Sequence, residues 1–458
     1  MSSFKFSMEP VKVPKIETPN RVIKTPIPCK GTKEVLKVLD KYESRSMHGQ
    51  LPLVWDSAKD CSIYDADGNK WIDFTSAIFF ANVGHSNERV SSYISQSIGD
   101  SPLIGCYAYG NKKRADYFEK LIKFAGSNFE KAFLMSAGTE ATEAALKLMR
   151  MHGQKLGKKK LGIIAFENNW HGRTMGAQMM SGNTQQKEWI GNLDPDIHHL
   201  PFPYPWKVQN GEGKDFFWKS IEDFVSNGLN PKTDICGVIM ETFQGWGAIF
   251  YPKDFVKAAD EFCKENNILL AFDEMQSGFA RTGKAFGYQH YNVSPDLLCC
   301  GKGMGNGYPI SGVIGKADVM DLPEIGNMSS THSANPMACA TGMAVLEEIE
   351  SKNLIKESER KGNILLNRLN LIKNKSKGNV SDVFGKGLIA ALVFKDPVTK
   401  TPSSKLASRI AEKCLHKGLL VVHTGRESIK IGPPLTITDD ALNEGIDIIE
   451  ETIIENIK

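Results

Sequence analysis

Two charged residues in the middle of the chain follow apolar runs that are typical of buried strands. Asp273 follows the run at 269–272, and Lys302 follows the run at 297–300 after a single glycine. Such a pair suits pyridoxal phosphate, whose aldehyde forms a Schiff base with a lysine and whose ring nitrogen stays protonated beside an acid. Lys302 on its own would more readily be a surface lysine. The two residues together give the hypothesis of a pyridoxal phosphate site.

The composition is that of a large globular protein with little net charge. The 458 residues are 41% hydrophobic and 24% charged, and the formal net charge is +3. This length predicts two or three domains. A nearly neutral chain argues against a nucleic-acid surface, and no run of 18 apolar residues could span a membrane. Nine cysteines without a CxxC pair, and no apolar signal segment, predict a cytoplasmic protein with reduced thiols and no metal site.

Strand and helix patterns alternate along most of the chain. Apolar runs predict five strands, at 161–166, 235–240, 268–272, 297–300 and 313–315. Amphipathic patterns predict three helices, at 139–155, 216–225 and 253–265. Alternation of this kind predicts an α/β fold with a mainly parallel sheet covered by helices.

The two ends of the chain have a different pattern. Near the start we expect a helix at 32–47 and a hairpin at 56–73, which turns at Asp-Ala-Asp-Gly-Asn. After about residue 346 we expect helices and strands of a smaller α+β domain, at 346–374, 388–394, 403–417, 419–423, 428–431 and 438–456. The expected domain limits are 1–75 for an N-terminal segment of the small domain, 76–345 for the large domain and 346–458 for the C-terminal small domain.

Further polar residues stand where the predicted strands end. In an open α/β sheet, ligands bind beyond the carboxyl ends of the strands. The turn before the predicted helix at 139 contains Gly138 and Thr139, whose free amides could bind an anion. An ordinary capped helix start, with Glu140 complementing the dipole, is the alternative. The polar stretch at 329–336 could reach a phosphate with its hydroxyl groups, or it could simply cap the following helix.

Candidate ligands also follow the strands at 161–166, 235–240 and 268–272. Trp170 could cover one face of a planar ring, and Arg173 could bind a carboxylate in a bidentate manner. A core tryptophan and a surface arginine are the alternatives. Glu241 could orient polar groups around a ring hydroxyl or serve a structural hydrogen bond. Gln276, three residues after Asp273, could bond a ring oxygen.

Taken in order, the motifs SAGTEATEAALK, WHGRT, ETFQG, DEMQSGFARTG, GKG and THSANP resemble those of the class III aminotransferases of the 4-aminobutyrate and ornithine type. The stretch DFTSAIFFANVGHSN is similar to the family's DFxxGIxxxxxGHxHP segment. The resemblance runs from about residue 51 to residue 440. It implies fold type I of the pyridoxal phosphate enzymes, with a mainly parallel seven-stranded sheet in the large, cofactor-binding domain and a smaller α+β domain.

The resemblance also implies a role for each matching position. Lys302 would form the Schiff base and act as the catalytic base, and Asp273 would pair with the ring nitrogen. Thr331 would reach the phosphate of the neighbouring subunit's cofactor, so the enzyme would be a homodimer. The remaining cofactor-binding positions would be Ala137, Gly138, Thr139, Trp170, His171, Glu241, Met275 and Gln276. The positions implied to bind substrate are Ile78, Phe79, Arg173, Trp246 and Lys430.

Two departures from the family pattern concern the substrate. Members that use 2-oxoglutarate often have a glutamate after QG, and here that position is Trp246. The glutamate pairs with an arginine in a stretch like IRIxPPL, and here Lys430 replaces the arginine. Since lysine does not reproduce the bidentate fork of arginine, both halves of the switch are altered together. The pocket is expected to suit a bulkier or less acidic substrate.

The resemblance implies a ping-pong transfer of an amino group through an internal aldimine on Lys302. We expect an aldehyde of sugar-like or omega-amino type as substrate, with glutamate or alanine as donor. A decarboxylase-transaminase and an aminomutase are alternatives within pyridoxal phosphate chemistry. A catalytically silent binding protein of the same fold is the alternative outside it, and the presence of both Lys302 and Asp273 argues against it.

Overall fold

The computed structural model describes residues 4–99, 102–209 and 211–457. By its internal contacts the chain divides into two compact units. The first comprises the described residues of Met1–Glu88, Trp246–Ala248 and Asn353–Lys458, and the second comprises those of Arg89–Gly245 and Ile249–Lys352. A compact unit of contacts is not in itself an independently folding domain, so the domain limits at 75 and 345 stay a prediction.

A seven-stranded sheet forms the centre of the second unit. Its strands lie in the spatial order Lys131–Met135, Ser311–Gly315, Leu297–Cys300, Leu269–Asp273, Ile235–Glu241, Gly162–Phe166 and Ile197–Leu200. Only Ser311–Gly315 runs antiparallel to its neighbours among these strands. The central strands are buried on both faces, as expected where helices cover both sides of a parallel sheet. The predicted mainly parallel seven-stranded sheet is confirmed.

Helices cover this sheet and place small side chains against it. The helix Gly138–Lys155 buries a stripe of alanine, leucine and methionine side chains in the core that it shares with the sheet. The helix Glu88–Ile98 begins one residue before this unit. The other helices of the unit are Lys112–Ala125, Met175–Met180, Gly213–Ser226, Pro231–Asp234, Lys253–Glu265, Ala317–Met320 and Pro336–Ser351. Three 3₁₀ turns lie at Gln185–Ile190, Gly287–Tyr291 and Lys302–Met304. A short hairpin pairs Phe243–Gln244 with Ile249–Phe250.

The first unit contains two smaller sheets. One has the strands Ile16–Glu17, Val22–Ile23, Lys70–Asp73, Ser62–Tyr64 and Ser57–Lys59, and Leu419–Leu420 also pairs with Lys70–Asp73. The other has the strands Val380–Lys386, Ile389–Phe394, Ser428–Ile431 and Val422–His423. The helices are Lys30–Tyr42, Leu354–Lys375, Ser404–His416 and Asp439–Asn456, with a 3₁₀ turn at Arg45–Met47 and a short turn at Ser76–Phe79. The hairpin expected at 56–73 is present, since Ser62–Tyr64 and Lys70–Asp73 pair antiparallel.

Three elements differ from the sequence-based expectation. The single helix expected at 346–374 is two helices, which end at Ser351 and begin at Leu354, because Asn353 takes a left-handed conformation with φ of 51°. The strand expected at 419–423 is two short strands that pair with different sheets. The helix expected at 32–47 begins at Lys30 and ends at Tyr42. Across the described residues, no helix is long and apolar enough to cross a membrane.

Candidate active site

Neighbouring strands of the large sheet deliver two carboxylates and a lysine to the same edge. Asp273 is the last residue of its strand and lies in register with Glu241 on one side and Cys299 on the other. Lys302 begins the 3₁₀ turn that follows the strand containing Cys299. Because these strands run parallel, their carboxyl ends meet at one edge, which is where ligands of open α/β sheets bind.

Lys302 lies in a conformation and an environment that ordinary lysines avoid. Its φ of 43° is in the left-handed region, where a residue other than glycine is uncommon. Burial lowers the pKa of the Lys302 amine below its usual value, while the charges of Asp273 and Glu241 act in the opposite direction. A strained backbone and a lysine shifted toward its neutral form are typical of a nucleophilic or proton-transferring amine.

The Asp273 carboxylate is held by two donors. Its Oδ1 accepts a hydrogen bond from the amide of Met275 at 3.0 Å, and its Oδ2 lies 2.9 Å from Nδ1 of His171. A carboxylate only accepts, so the imidazole donates from Nδ1, and its Nε2 is buried without a hydrogen-bond partner in the described part of the chain. The backbone of His171 is held in place, because its amide donates to the hydroxyl of Ser181 and its carbonyl accepts from Thr142.

The start of the helix Gly138–Lys155 offers backbone amides to an anion. The amides of the first turn have no acceptor within the helix. Glu140 caps the turn by accepting from the amides of Ser136 and Ala137, at 2.9 and 2.6 Å. The space beside Gly138 is narrow, since a Cβ there would lie 2.7 Å from the sulfur of Met275. Glu140 therefore acts as an ordinary helix cap, as the alternative proposed. The amides of Gly138 and Thr139 remain suited to bind a phosphate.

The hydroxyl of Thr139 is engaged by the neighbouring loop. Thr174 Oγ1 donates its only proton to Glu143 at 2.6 Å. Thr139 Oγ1 therefore donates to Thr174 Oγ1 at 2.7 Å, and it accepts from the amides of Arg173 and Thr174, both at 3.2 Å. Binding of a phosphate at this turn is thus expected to depend on backbone amides rather than on this hydroxyl.

Trp170 and Arg173 lie face to face at the rim of the same region. The guanidinium carbon of Arg173 lies 4.0 Å from the centroid of the Trp170 ring, which is 39% exposed. The Arg173 Nη1 donates to Oε1 of Gln186 at 3.1 Å. The alternative of a core tryptophan is excluded by this exposure. The arrangement gives an aromatic face and a cation side by side.

Glu241 and Gln276 converge on the backbone of Gly245. Glu241 Oε2 accepts from the amides of Trp170 at 3.0 Å and Gly245 at 3.4 Å. A Cβ at Gly245 would lie 2.4 Å from Nε2 of Gln276 and 2.9 Å from Oε1 of Glu241. Glu241 therefore forms structural hydrogen bonds, one of the two roles that the sequence suggested. Glycine is required at position 245 because both side chains approach its backbone closely.

These residues enclose a cavity of about 260 Å³ within the second unit. Its lining consists of Gly138, Thr139, Trp170, His171, Gly172, Arg173, Glu241, Asp273, Met275, Gln276 and Lys302. The cavity brings together an amine, a carboxylate with a supporting imidazole, a turn of free amides and an aromatic ring. This donor set fits pyridoxal phosphate, which needs a lysine, a partner for its ring nitrogen and a site for its phosphate.

Two predicted cofactor residues do not line the cavity. Ala137 is exposed, and its carbonyl accepts from the hydroxyl of Ser311 at 2.7 Å. Thr331 is exposed in the turn that precedes the helix Pro336–Ser351, whose N-cap is Asn335. The helix start predicted near 336 is present, and the proposed contact of Thr331 with a second subunit stays a prediction.

Four of the predicted substrate residues belong to the first unit. Ile78 and Phe79 lie in a turn of four consecutive residues with φ between 45° and 69°, anchored because Ser76 donates to the carbonyl of Gly432 at 2.6 Å. Ile78 is 40% exposed, whereas Phe79 is buried. The Lys430 ammonium lies 4.6 Å from the centroid of the Phe79 ring. Four left-handed residues in a row are costly, and such strain is typical of functional segments.

Trp246 contacts an arginine that the sequence analysis did not select. The guanidinium carbon of Arg426 lies 4.0 Å from the centroid of the Trp246 ring. Ser428, on the strand that also carries Lys430, donates to the carbonyl of Trp246 at 2.8 Å. Ser428 and Lys430 are two residues apart and share one face of the strand. The two altered switch positions are therefore linked through one strand, since Ser428 contacts Trp246 and Lys430 contacts Phe79.

Gly172 lines the cavity and was missed. Gln186, Glu143 and Thr174 do not line it but contact residues around it, and they were also missed. Their contacts link segments that are 13 to 35 residues apart. No local pattern marks such a contact. Among these three, only Thr174, adjacent to Arg173 in the WHGRT motif, carried a signal that could have selected it.

The fold and the site together define a pyridoxal phosphate enzyme. The family model for class III aminotransferases matches residues 44–453, and the chain belongs to this family. It is therefore a transaminase that uses pyridoxal phosphate.

Individual relatives differ in the activity that their names state. The chain is 35% identical over 421 residues to the probable 4-aminobutyrate aminotransferase of Bacillus subtilis (strain 168), covering 90% of this chain and 95% of that protein. It is 31% identical over 412 residues to the leucine/methionine racemase of Thermococcus litoralis, covering 88% and 91%. The solved structure of acetylornithine aminotransferase from Elizabethkingia anophelis is 29% identical, with a TM-score of 0.77 over 93% of this chain and 100% of that one.

Proposed function

We propose that the enzyme moves an amino group between an amino-acid donor, glutamate or alanine, and an aldehyde of omega-amino or sugar-like type. The observation that carries the proposal is that Arg173 and Lys302 line the same cavity. A cation at the rim and an amine inside suit a substrate that has a carboxylate at one point and an amino or carbonyl group at another. The relatives named for 4-aminobutyrate and acetylornithine support an omega-amino compound.

When bound, pyridoxal phosphate supplies an aldehyde carbon and a cationic ring that accepts the electron pair left when a substrate proton is removed. Asp273 would keep the ring nitrogen protonated, and His171 holds that carboxylate in one orientation. The amides of Gly138 and Thr139 would hold the phosphate, and Trp170 would offer an aromatic face to the ring.

Lys302 is the group that moves the proton. Its lowered pKa favours the neutral amine, which could accept a proton from the substrate carbon and act as the general base of the reaction. Gln276 would donate to the ring oxygen. Glu241, beside it, accepts from the amides of Trp170 and Gly245. The sulfur of Met275 fills the space beside Gly138, and Ala137 supports the same turn as its N-cap without lining the cavity.

The substrate side includes Ile78, Phe79, Trp246 and Lys430. Two observations support this part of the proposal: the strained turn at Ser76–Phe79 and the aromatic faces that hold the cations of Arg426 and Lys430. Lysine at position 430 lacks the bidentate fork with which an arginine binds a carboxylate. This favours a less acidic acceptor than a dicarboxylate.

The proposed assembly is a cytoplasmic homodimer in which Thr331 reaches the cofactor of the other subunit. The exposure of Thr331 in a turn leaves it accessible to a second chain. All nine cysteines are unpaired, as is usual for proteins of a reducing compartment.

A half-reaction without acceptor tests the reaction type. The holoenzyme is incubated with stoichiometric glutamate, alanine or 4-aminobutyrate, and the products and the cofactor absorption are measured. We expect one equivalent of oxo acid or aldehyde per site and loss of the yellow absorption. Inversion of the amino acid without oxo acid would instead indicate a racemase, as the Thermococcus litoralis relative is named. Release of CO₂ would indicate a decarboxylase, and a shifted amino group without oxo acid an aminomutase.

A further inference from the structure

Arg173 is a cation that has no acidic partner in the described part of the chain. Its contacts there are the Trp170 ring, the side chain of Gln186 and, through its backbone amide, the hydroxyl of Thr139. A guanidinium with one covered face and one engaged N–H keeps further N–H groups for a ligand. The free charge and the remaining donors suit a substrate carboxylate.

Gln186 determines where those donors point. Its Oε1 accepts from Nη1 of Arg173 at 3.1 Å. An arginine side chain has several rotatable bonds, and stacking on Trp170 alone fixes the plane of the guanidinium but not its rotation within that plane. The hydrogen bond to Gln186 removes this remaining freedom.

Gln186 is itself held by a buried frame. Its carbonyl accepts from Nε2 of Gln178 at 2.7 Å, and Oε1 of Gln178 accepts from the indole of Trp189 at 3.0 Å. The ammonium of Lys187 donates to the carbonyl of Met179 at 3.2 Å. Gln178 and Lys187 are buried. The 3₁₀ turn Gln185–Ile190 is thus fastened to the helix that directly follows Arg173.

We propose that Gln186 is a positioning residue, which fixes the guanidinium of Arg173 in the orientation that binds the substrate carboxylate. This rests on the proposed function, since it assumes that Arg173 contacts the substrate. Positioning lowers the entropy that the arginine loses when a carboxylate binds, and it acts on the binding of carboxylate substrates alone. The proton transfer at Lys302 should not depend on it.

The test compares two substrates that differ only in the carboxylate, such as 4-aminobutyrate and butylamine, with the holoenzyme. Gln186→Met keeps the side-chain length and removes the acceptor. We expect KM for the amino acid to rise about tenfold with kcat within about twofold, and KM for the amine to stay unchanged. Gln186→Glu should raise KM for the amino acid further, about 100-fold, because the new carboxylate pairs with Arg173 and competes with the substrate. Gln185→Met, on the same turn, is the matched control and should change neither.

The outcomes separate this inference from the proposed function. If Arg173→Met raises KM for the amino acid and Gln186→Met does not, the positioning role is wrong and the proposed function stands. If Gln186→Met raises KM for both substrates equally, or lowers kcat, its role is structural and the inference is overturned. If Arg173→Met changes KM for neither substrate, Arg173 does not bind the substrate carboxylate. That part of the proposed function is then wrong, whatever Gln186→Met does.

Discussion

Nδ1 of His171 lies 2.9 Å from Oδ2 of Asp273, and both side chains are buried. Asp273 is therefore held by an imidazole and by the amide of Met275, and its orientation does not depend on the cofactor. A carboxylate that is fixed before the cofactor binds costs no reorganisation during the reaction.

His171→Phe is expected to weaken this support. The variant keeps a ring of similar size and removes the donor to Asp273. We expect kcat/KM to fall about 10- to 100-fold and the pH titration of the cofactor absorption to shift. His85→Phe is the control, because His85 forms a similar buried pair with Asp73 at 2.7 Å. It should lower the thermal stability and leave the cofactor titration unchanged. An unchanged titration in His171→Phe would contradict the supporting role.

Gly172→Ala is expected to disrupt the cofactor turn. Gly172 has a φ of +147°, and a Cβ there would lie 2.2 Å from Oγ1 of Thr139. The clash should displace Thr139 and lower the affinity for pyridoxal phosphate at least about tenfold in a fluorescence titration. Gly157→Ala is the control for backbone strain alone, since its φ is +66° and nothing lies near its Cβ. If both variants bind the cofactor like the wild type, the turn accommodates a Cβ at position 172, and its close packing against Thr139 is not needed for cofactor binding.

The stability of the protein should fall between about pH 6.5 and pH 4. Burial, with repulsion from Lys187, lowers the pKa of His199 from 6.5 to about 4. In this window the unfolded chain binds a proton that the folded chain does not, so the free energy of unfolding decreases as the pH falls. The loss for His199 is at most about 3 kcal/mol and is absent above pH 6.5. Urea unfolding of His199→Asn should show a smaller decrease over this window. An equal decrease in both proteins would exclude His199 as its source.

Trp246→Glu combined with Lys430→Arg should increase the preference for a dicarboxylate acceptor. The two changes rebuild the ion pair that the family uses with 2-oxoglutarate. We expect kcat/KM for 2-oxoglutarate to rise about tenfold or more relative to an aldehyde acceptor. Trp246→Phe is the control, because it keeps an aromatic face for Arg426. If the double variant leaves the ratio of kcat/KM for the two acceptors unchanged, these two positions do not determine the choice of acceptor.

A mixed dimer tests whether Thr331 contributes to the active site of the other subunit. Chains with Thr331→Val and chains with Lys302→Ala are co-expressed with different tags, and the mixed dimer is isolated. If Thr331 acts on the other subunit, the site with Lys302 receives an intact Thr331 from the other chain, and the dimer should show about half of the wild-type activity. Activity no higher than that of the Thr331→Val homodimer would contradict a contact in trans.

The sequence predicted the parts of the site that are local in the chain. Asp273 and Lys302 each end or follow an apolar run, and the order of the strands brings them to one edge of the sheet. The central strands and the helix at 139–155 were recognisable because their periodicity reflects burial. The helix break at Asn353 was not recognisable, because a single left-handed residue interrupts a sequence pattern that is continuously helical.

Contacts between distant segments could not be predicted in this way. The pairs of Arg173 with Gln186 and of Trp246 with Arg426 depend on how loops pack, and no spacing rule encodes them. The engagement of the Thr139 hydroxyl was equally hidden, because it follows from the hydrogen bond that Thr174 donates to Glu143. Chemistry at strand ends is therefore readable from sequence, whereas the selection of substrate is not.

The most direct measurement is the covalent capture of the cofactor. The holoenzyme is reduced with borohydride and digested, and the peptides are analysed by mass spectrometry, with Lys302→Ala as the control. We predict a pyridoxyl group on Lys302 in stoichiometric amount and none in the variant. A label on another lysine, or a protein that stays colourless with excess pyridoxal phosphate, would contradict the account.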